Sequence, residues 1–133
     1  REQVGDAADF VTIERRGLQA FFAYAVKNPS YFRIFTEAES ASPRAYQKYT
    51  SDRTGRFLDS ITAAWRRGEV KGYSERELGV LTQVMLASRT YLYQHYAKGP
   101  DGPVPVADWV IAAYMKFLAR GIGMRDEELE PKR

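Results

Sequence analysis

Proline and glycine cut this chain into helical lengths and leave no convincing strand between the cuts. Asn28-Pro29 ends one helical pattern, because proline disfavours helical geometry in the residue before it. Ser42-Pro43 opens another, since serine caps well and proline suits the first helical position, where no amide donor is needed. Gly68 follows Arg66-Arg67, a terminator placed after two cations that favour the end of a helix dipole. Gly99-Pro100-Asp101-Gly102-Pro103 is a loop. Between these stops apolar residues recur at three- and four-residue steps. The pattern predicts an all-α fold, a helical bundle of four long helices plus a short one. With 133 residues, the chain can build one core and not two.

The first helix is expected over residues 8–27, capped by Asp9 or Asp6, with the stripe Phe10, Ile13, Gly17, Phe21 and Tyr24. A short aromatic helix follows over 31–40, with Ser30 as its cap. A third spans 43–67 on the stripe Tyr46, Tyr49, Arg53, Phe57, Ile61 and Ala64. Ser74-Glu75-Arg76-Glu77 is a capping box, and it opens a helix reaching about residue 98. That helix carries two apolar stripes. Leu78, Leu81, Met85, Arg89, Leu92 and Tyr96 form one; Val84, Ala87, Ser88, Tyr91 and His95 form the other. The last helix, from 104 or 106 to 122, is also two-faced, with Val106, Trp109, Val110, Ala113 and Phe117 on one side and Ile111, Met115, Leu118 and Ile122 on the other. Gly121 and Gly123 end it. Residues 1–9 are expected to be a linker or the end of a preceding helix, as if cut from a longer chain. Residues 10–123 form the domain and 124–133 a charged tail.

Enzymatic constellations are missing from the sequence. There is no cysteine, and His95 is the only histidine, which excludes thiolate chemistry and a two-histidine metal site. No phosphate-binding glycine loop or nucleophile elbow occurs. The expectation is a protein that is not an enzyme and holds no metal or cofactor. Net charge is only +3, and the doublets Arg15-Arg16 and Arg66-Arg67 are flanked by Glu14 and Glu69, so a nucleic-acid footprint is not expected on this chain. No run is long enough for a membrane span. A cytoplasmic setting fits the lack of cysteine.

Two features point to binding. Nine tyrosines and seven phenylalanines supply apolar surface with polar tips. Phe21, Tyr24, Tyr31, Phe35, Tyr46, Tyr49, Phe57 and Tyr91 can line a pocket between the first, third and fourth helices, or simply fill a core. Arg53 and Arg89 fall on stripes meant for the interior, where an unpaired guanidinium is costly. Either they meet a polar or anionic ligand group, or they snorkel to the surface or pair with Glu37, Glu39 or Asp59. The spare stripes of the last two long helices also have two readings. A two-fold dimer would bury them in a four-helix bundle, or the helices lie centrally, covered by the first two long ones.

The order of features resembles the C-terminal regulatory domain of the TetR family of bacterial transcriptional repressors. Ala25-Val26-Lys27-Asn28-Pro29-Ser30-Tyr31-Phe32-Arg33-Ile34-Phe35 is similar to that family's helix–Pro–aromatic entry. Ala63-Ala64-Trp65-Arg66-Arg67-Gly68-Glu69-Val70 is similar to its Ala-x-x-x-Gly-Glu-Val close, and Phe117-Leu118-Ala119-Arg120-Gly121-Ile122 resembles its last helix. The resemblance implies an effector-sensing domain that dimerises through its last two long helices; the aromatic and arginine side chains above point to a small, mostly apolar or aromatic ligand, with or without an acidic end. Combined with the patterns above, it places Phe21, Tyr24, Tyr31, Phe35, Tyr49, Arg53, Phe57 and Arg89 at the ligand. It places Val84, Tyr91, His95, Trp109, Ile111, Met115, Leu118 and Ile122 in a homodimer interface. The joint from Asn28 to Glu39 becomes the candidate transmitter. The family's N-terminal helix-turn-helix, roughly fifty residues, is not in this sequence, so contact with DNA would pass through that domain. The competing expectation is a helical dimerisation module with a solid core and no ligand.

Overall fold

A computed structural model of the chain describes residues 9–124. Within them lie five α-helices: α1 (Phe10–Lys27), α2 (Pro29–Ala41), α3 (Pro43–Arg66), α4 (Leu78–Tyr96) and α5 (Asp108–Gly121). A 3-10 turn, Glu75–Glu77, leads into α4. Between α4 and α5 the chain reverses through a minimal antiparallel ladder of β1 (Lys98–Gly99) and β2 (Gly102–Pro103). The architecture is all-α. The stretch 1–8 and the tail 125–133 lie outside the described residues.

Local signals set the boundaries. Asp9 caps α1 by accepting the Thr12 amide at 2.8 Å. Pro29 and Pro43 each occupy the first turn of a helix. Ser30 is therefore already inside α2 and is not its cap; Asn28 holds that position. Ahead of α4, the Glu77 carboxylate accepts the Ser74 amide at 2.8 Å, as the capping box predicts. The last helix begins later than expected, at Asp108, because residues 104–107 are not helical after the hairpin and Ala107 is extended.

α1 is the central element, packed on α4 and α5, while α3 packs on α2 and α4. The buried face of α1 is Phe10, Glu14, Leu18, Phe22 and Ala25, rotated by about one residue from the expected stripe. Gly17 and Phe21 are half-buried and Tyr24 is exposed. α3 enters the core only near its end, through Ile61 and Ala64. α5 turns opposite to a dimerising helix with Ile111 outward. Ile111, Met115, Leu118 and Ile122 are buried in this chain's own core with Val110 and Tyr114, and Trp109 and Phe117 face out.

The connection from α3 to α4 ties the base of the bundle together. The Trp65 indole donates to the Tyr73 carbonyl at 2.8 Å, the Tyr73 hydroxyl donates to the Gly121 carbonyl at 2.6 Å, and the Lys71 amide donates to the Ile122 carbonyl at 2.8 Å. Glu69 accepts the first amide of α1, from Phe10, at 2.8 Å. Arg67 also donates to this carboxylate at 2.8 Å, and chiefly that bond holds it below the usual carboxylate range.

Both α3 and α5 end on a left-handed glycine with the paired hydrogen bonds of a Schellman motif. At Gly68, φ is +86° and an added methyl would meet open space. At Gly123, φ is +92° and the methyl would come within 2.8 Å of the Lys71 Cβ. Gly68→Ala is expected to cost about 1 kcal/mol through backbone strain. Gly123→Ala adds a steric clash and is expected to cost about 2–3 kcal/mol. Urea unfolding of the two variants side by side checks the difference; equal losses would remove the clash from the account.

Candidate functional site

Three groups of side chains stand out from the packing. The first is an aromatic cluster where α1, α2 and α3 meet. The Tyr24 ring stands edge-on to Tyr31 at 5.2 Å, Tyr31 stacks on Phe35 at 6.1 Å, and Phe35 meets Tyr46 and Tyr49 at 5.3 and 5.7 Å. The hydroxyls of Tyr31 and Tyr49 are 2.9 Å apart, a hydrogen bond. Arg53 lies over the Phe35 face, its guanidinium carbon 5.7 Å from the centroid. The local sequence explains the assembly. Pro29 breaks the helix direction after Tyr24, so α2 folds back and sets Tyr31 and Phe35, one turn apart, against Tyr46, Tyr49 and Arg53 of α3. Five of the eight residues expected at the ligand (Tyr24, Tyr31, Phe35, Tyr49 and Arg53) come together here.

The other three belong to a deeper group. Phe21 packs edge-on to Tyr93 at 6.4 Å, and Phe57 edge-on to Phe10 at 6.5 Å. Arg89 lies over Phe57 at 5.5 Å and donates to Glu14 at 2.8 Å. The pair is deeply placed, with side-chain exposures of 16% and 2%. The Tyr114 hydroxyl donates to the second Glu14 oxygen at 3.5 Å. Arg89 is therefore closed by a carboxylate of its own chain, from α1 and not from Glu37, Glu39 or Asp59. Burial is the largest influence on Glu14 and pushes its carboxyl above the ordinary 4.5, while Arg89 and Tyr114 pull it back in part. The Tyr114 hydroxyl is pushed up as well, by burial and then by the Glu14 charge. The Arg89 Nε is buried without a hydrogen-bond partner among the described residues; the face of Phe57 is what covers the guanidinium. Glu14 and Tyr114 escaped the sequence reading. The available signal was spacing: Glu14 lies four residues after Phe10 and four before Leu18, on their face.

The third group is a surface. Val80, Val84 and Tyr91 of α4 are 65%, 50% and 71% exposed, and Trp109 and Phe117 of α5 are 64% and 71% exposed. Arg89 is the sole Arg, Lys, Asp or Glu in α4, and it points inward to Glu14. The outward face of α4 thus carries no carboxylate, ammonium or guanidinium, unlike an ordinary solvated helix. Beside it opens an apolar groove of about 430 Å³, lined by Val84, Ala87, Ser88, Tyr91 and Leu92 with Tyr114 of α5. Of the residues expected at a dimer interface, Val84, Tyr91, His95 and Trp109 are exposed. Ile111, Met115, Leu118 and Ile122 are not available to a partner, because they fill the protomer's core. Phe117 is exposed on the outer side of α5.

Among the described residues no group of three His, Asp or Glu side chains is placed to hold a metal ion, and no helix is long and apolar enough to cross a membrane. No protein-family model matches this chain, and no match is found among curated proteins or solved structures.

Proposed function

We propose that this chain is the effector-sensing and dimerising domain of a TetR-like transcriptional regulator. In this reading it binds a small, mostly apolar ligand at the α1–α2–α3 joint and passes the signal to a DNA-binding head placed before α1. The observation that carries the reading is the outward face of α4 and α5. A helix whose exposed side lacks charged groups and carries Tyr91 in solvent, with Trp109 and Phe117 exposed on α5, offers apolar surface suited to being covered. The face holds both a groove and projecting rings. An isologous two-fold contact needs this self-complementarity, since the same patch must supply knob and hole. A second copy therefore suits it better than an unrelated partner. Lys116 and Arg120, exposed on α5, would stand at the rim, where charge is tolerated.

The sensing half rests on the aromatic cluster, which combines apolar walls with a few convergent polar groups, the composition of a small-ligand site. Because the cluster joins α1 to α2 and α3, a ligand that prefers one setting of these helices shifts the population toward it. Two measurements test the proposal together. Sedimentation equilibrium at micromolar concentration is expected to show a dimer. A thermal-shift screen across hydrophobic acids, acyl thioesters and aromatic drugs is expected to find a class that stabilises the fold, by about 2.7 kcal/mol when the ligand is at a hundred times its Kd. A monomer that no class stabilises would overturn it.

A further inference from the structure

The two interior arginines are in opposite situations. Arg89 is neutralised by Glu14 at 2.8 Å. Arg53 is half-buried at the aromatic joint and, among the described residues, makes neither a hydrogen bond nor an ion pair; its contact is the Phe35 face. Glu37 pairs with Arg33 at 3.7 Å, and Asp52, the residue before Arg53, pairs with Lys48 at 3.2 Å. We infer that the ligand taken at this joint is a monoanion, a carboxylate on a planar aromatic body, held by the Arg53 guanidinium and the Tyr31–Tyr49 hydroxyl pair. The inference rests on the sensing reading above and names its ligand class.

Each part of the site matches one part of such a molecule. A guanidinium presents a planar fork that fits a carboxylate with two parallel hydrogen bonds. One unneutralised cation calls for one negative charge. In the tyrosine pair one hydroxyl donates to the other, which leaves the second proton free to point at an anion. Burial, and then the bond to Tyr49, pushes the Tyr31 hydroxyl up to about 12, so it remains a donor at neutral pH. Tyr24, Phe35 and Tyr46 supply ring faces and edges for a flat apolar body, which packs offset or edge-on against them.

The test titrates the full chain with 1-naphthoate and with its neutral counterpart 1-naphthalenemethanol, following the arginine Nε–H resonances by NMR. The carboxylate is expected to bind about tenfold tighter, the weight of a charge-assisted hydrogen bond, and to move the Arg53 resonance. In Arg53→Gln the preference is expected to vanish while the neutral probe still binds, which also shows the cluster intact. Arg53→Lys keeps the charge without the fork and is expected to retain part of the preference. Equal affinities in the wild type, or a preference that survives Arg53→Gln, overturn the monoanion assignment and leave an apolar sensing site standing. Failure of both probes to bind at concentrations up to about 1 mM overturns this inference and the sensing reading together.

Discussion

Glu14→Ala is expected to lower the unfolding free energy by about 3–5 kcal/mol, the usual cost of removing one partner from a buried ion pair. Glu14 is 2% exposed and is reached from two sides, by Arg89 of α4 and Tyr114 of α5. Its removal strands a guanidinium whose Nε already lacks a hydrogen-bond partner among the described residues. The double variant Glu14→Leu/Arg89→Met is expected to recover most of the loss, because an apolar pair of similar volume avoids the desolvation of both charges. Urea unfolding at one fixed protein concentration measures all three proteins, the concentration being held because the proposed dimer would add to apparent stability. A single variant that loses less than about 1 kcal/mol would mean that water reaches the pair.

The pH dependence of the same pair has a definite sign. Burial raises the folded carboxyl above its ordinary 4.5. Between that value and the raised one, the folded chain keeps a proton that the unfolded chain has released. Stability from this group is therefore complete below pH 4.5 and is lost as pH rises through the raised value. Glu14→Gln removes the titration. The wild type should thus gain on this variant toward acid and fall back toward neutrality. Glu69, whose lowered carboxyl works in the opposite sense, is common to both proteins and cancels in the difference. A difference curve that climbs with pH would show that attraction to Arg89 outweighs burial.

What was legible in the chain beforehand was local. Pro29, Pro43, Gly68 and the Gly99–Pro103 loop act on their own backbone, so helix number and most boundaries followed from them. Rotation of a helix about its axis is a tertiary property. On α5 both stripes are apolar, and only the position of α1 decides that Ile111, Met115, Leu118 and Ile122 go inward. On α1 the charge of Glu14 argued against the face that buries it, and the partner that reverses the argument lies 75 residues away. The joint was readable in part. The kink at Pro29 brings Tyr31 and Phe35 to α3 through short-range geometry. That Arg53 would stay unpaired while Arg89 was claimed depended on which carboxylate reached which helix.

Ala87→Glu is expected to convert the proposed dimer into a folded monomer. Ala87 is exposed on the outward face of α4 and lines the groove beside Val84 and Tyr91. On an isolated protomer the change is mild, because glutamate is a good helix former and its carboxylate would be solvated. About a two-fold axis the position occurs twice, and each copy would put an unpaired carboxylate among valine and tyrosine side chains. The desolvation penalty is several kcal/mol per ion. A total near 4 kcal/mol already raises the dimer dissociation constant about a thousandfold. Lys116→Glu, on the exposed side of α5 at the rim, is the control and should change it by less than about tenfold. Sedimentation equilibrium at several concentrations, with far-UV circular dichroism to confirm the helices, separates dissociation from unfolding. If the wild type is a dimer and Ala87→Glu sediments with it, the copies meet on another face and the uncharged side of α4 needs a different occupant. If it dissociates with its helices intact, the missing charges on that helix are explained by the second copy.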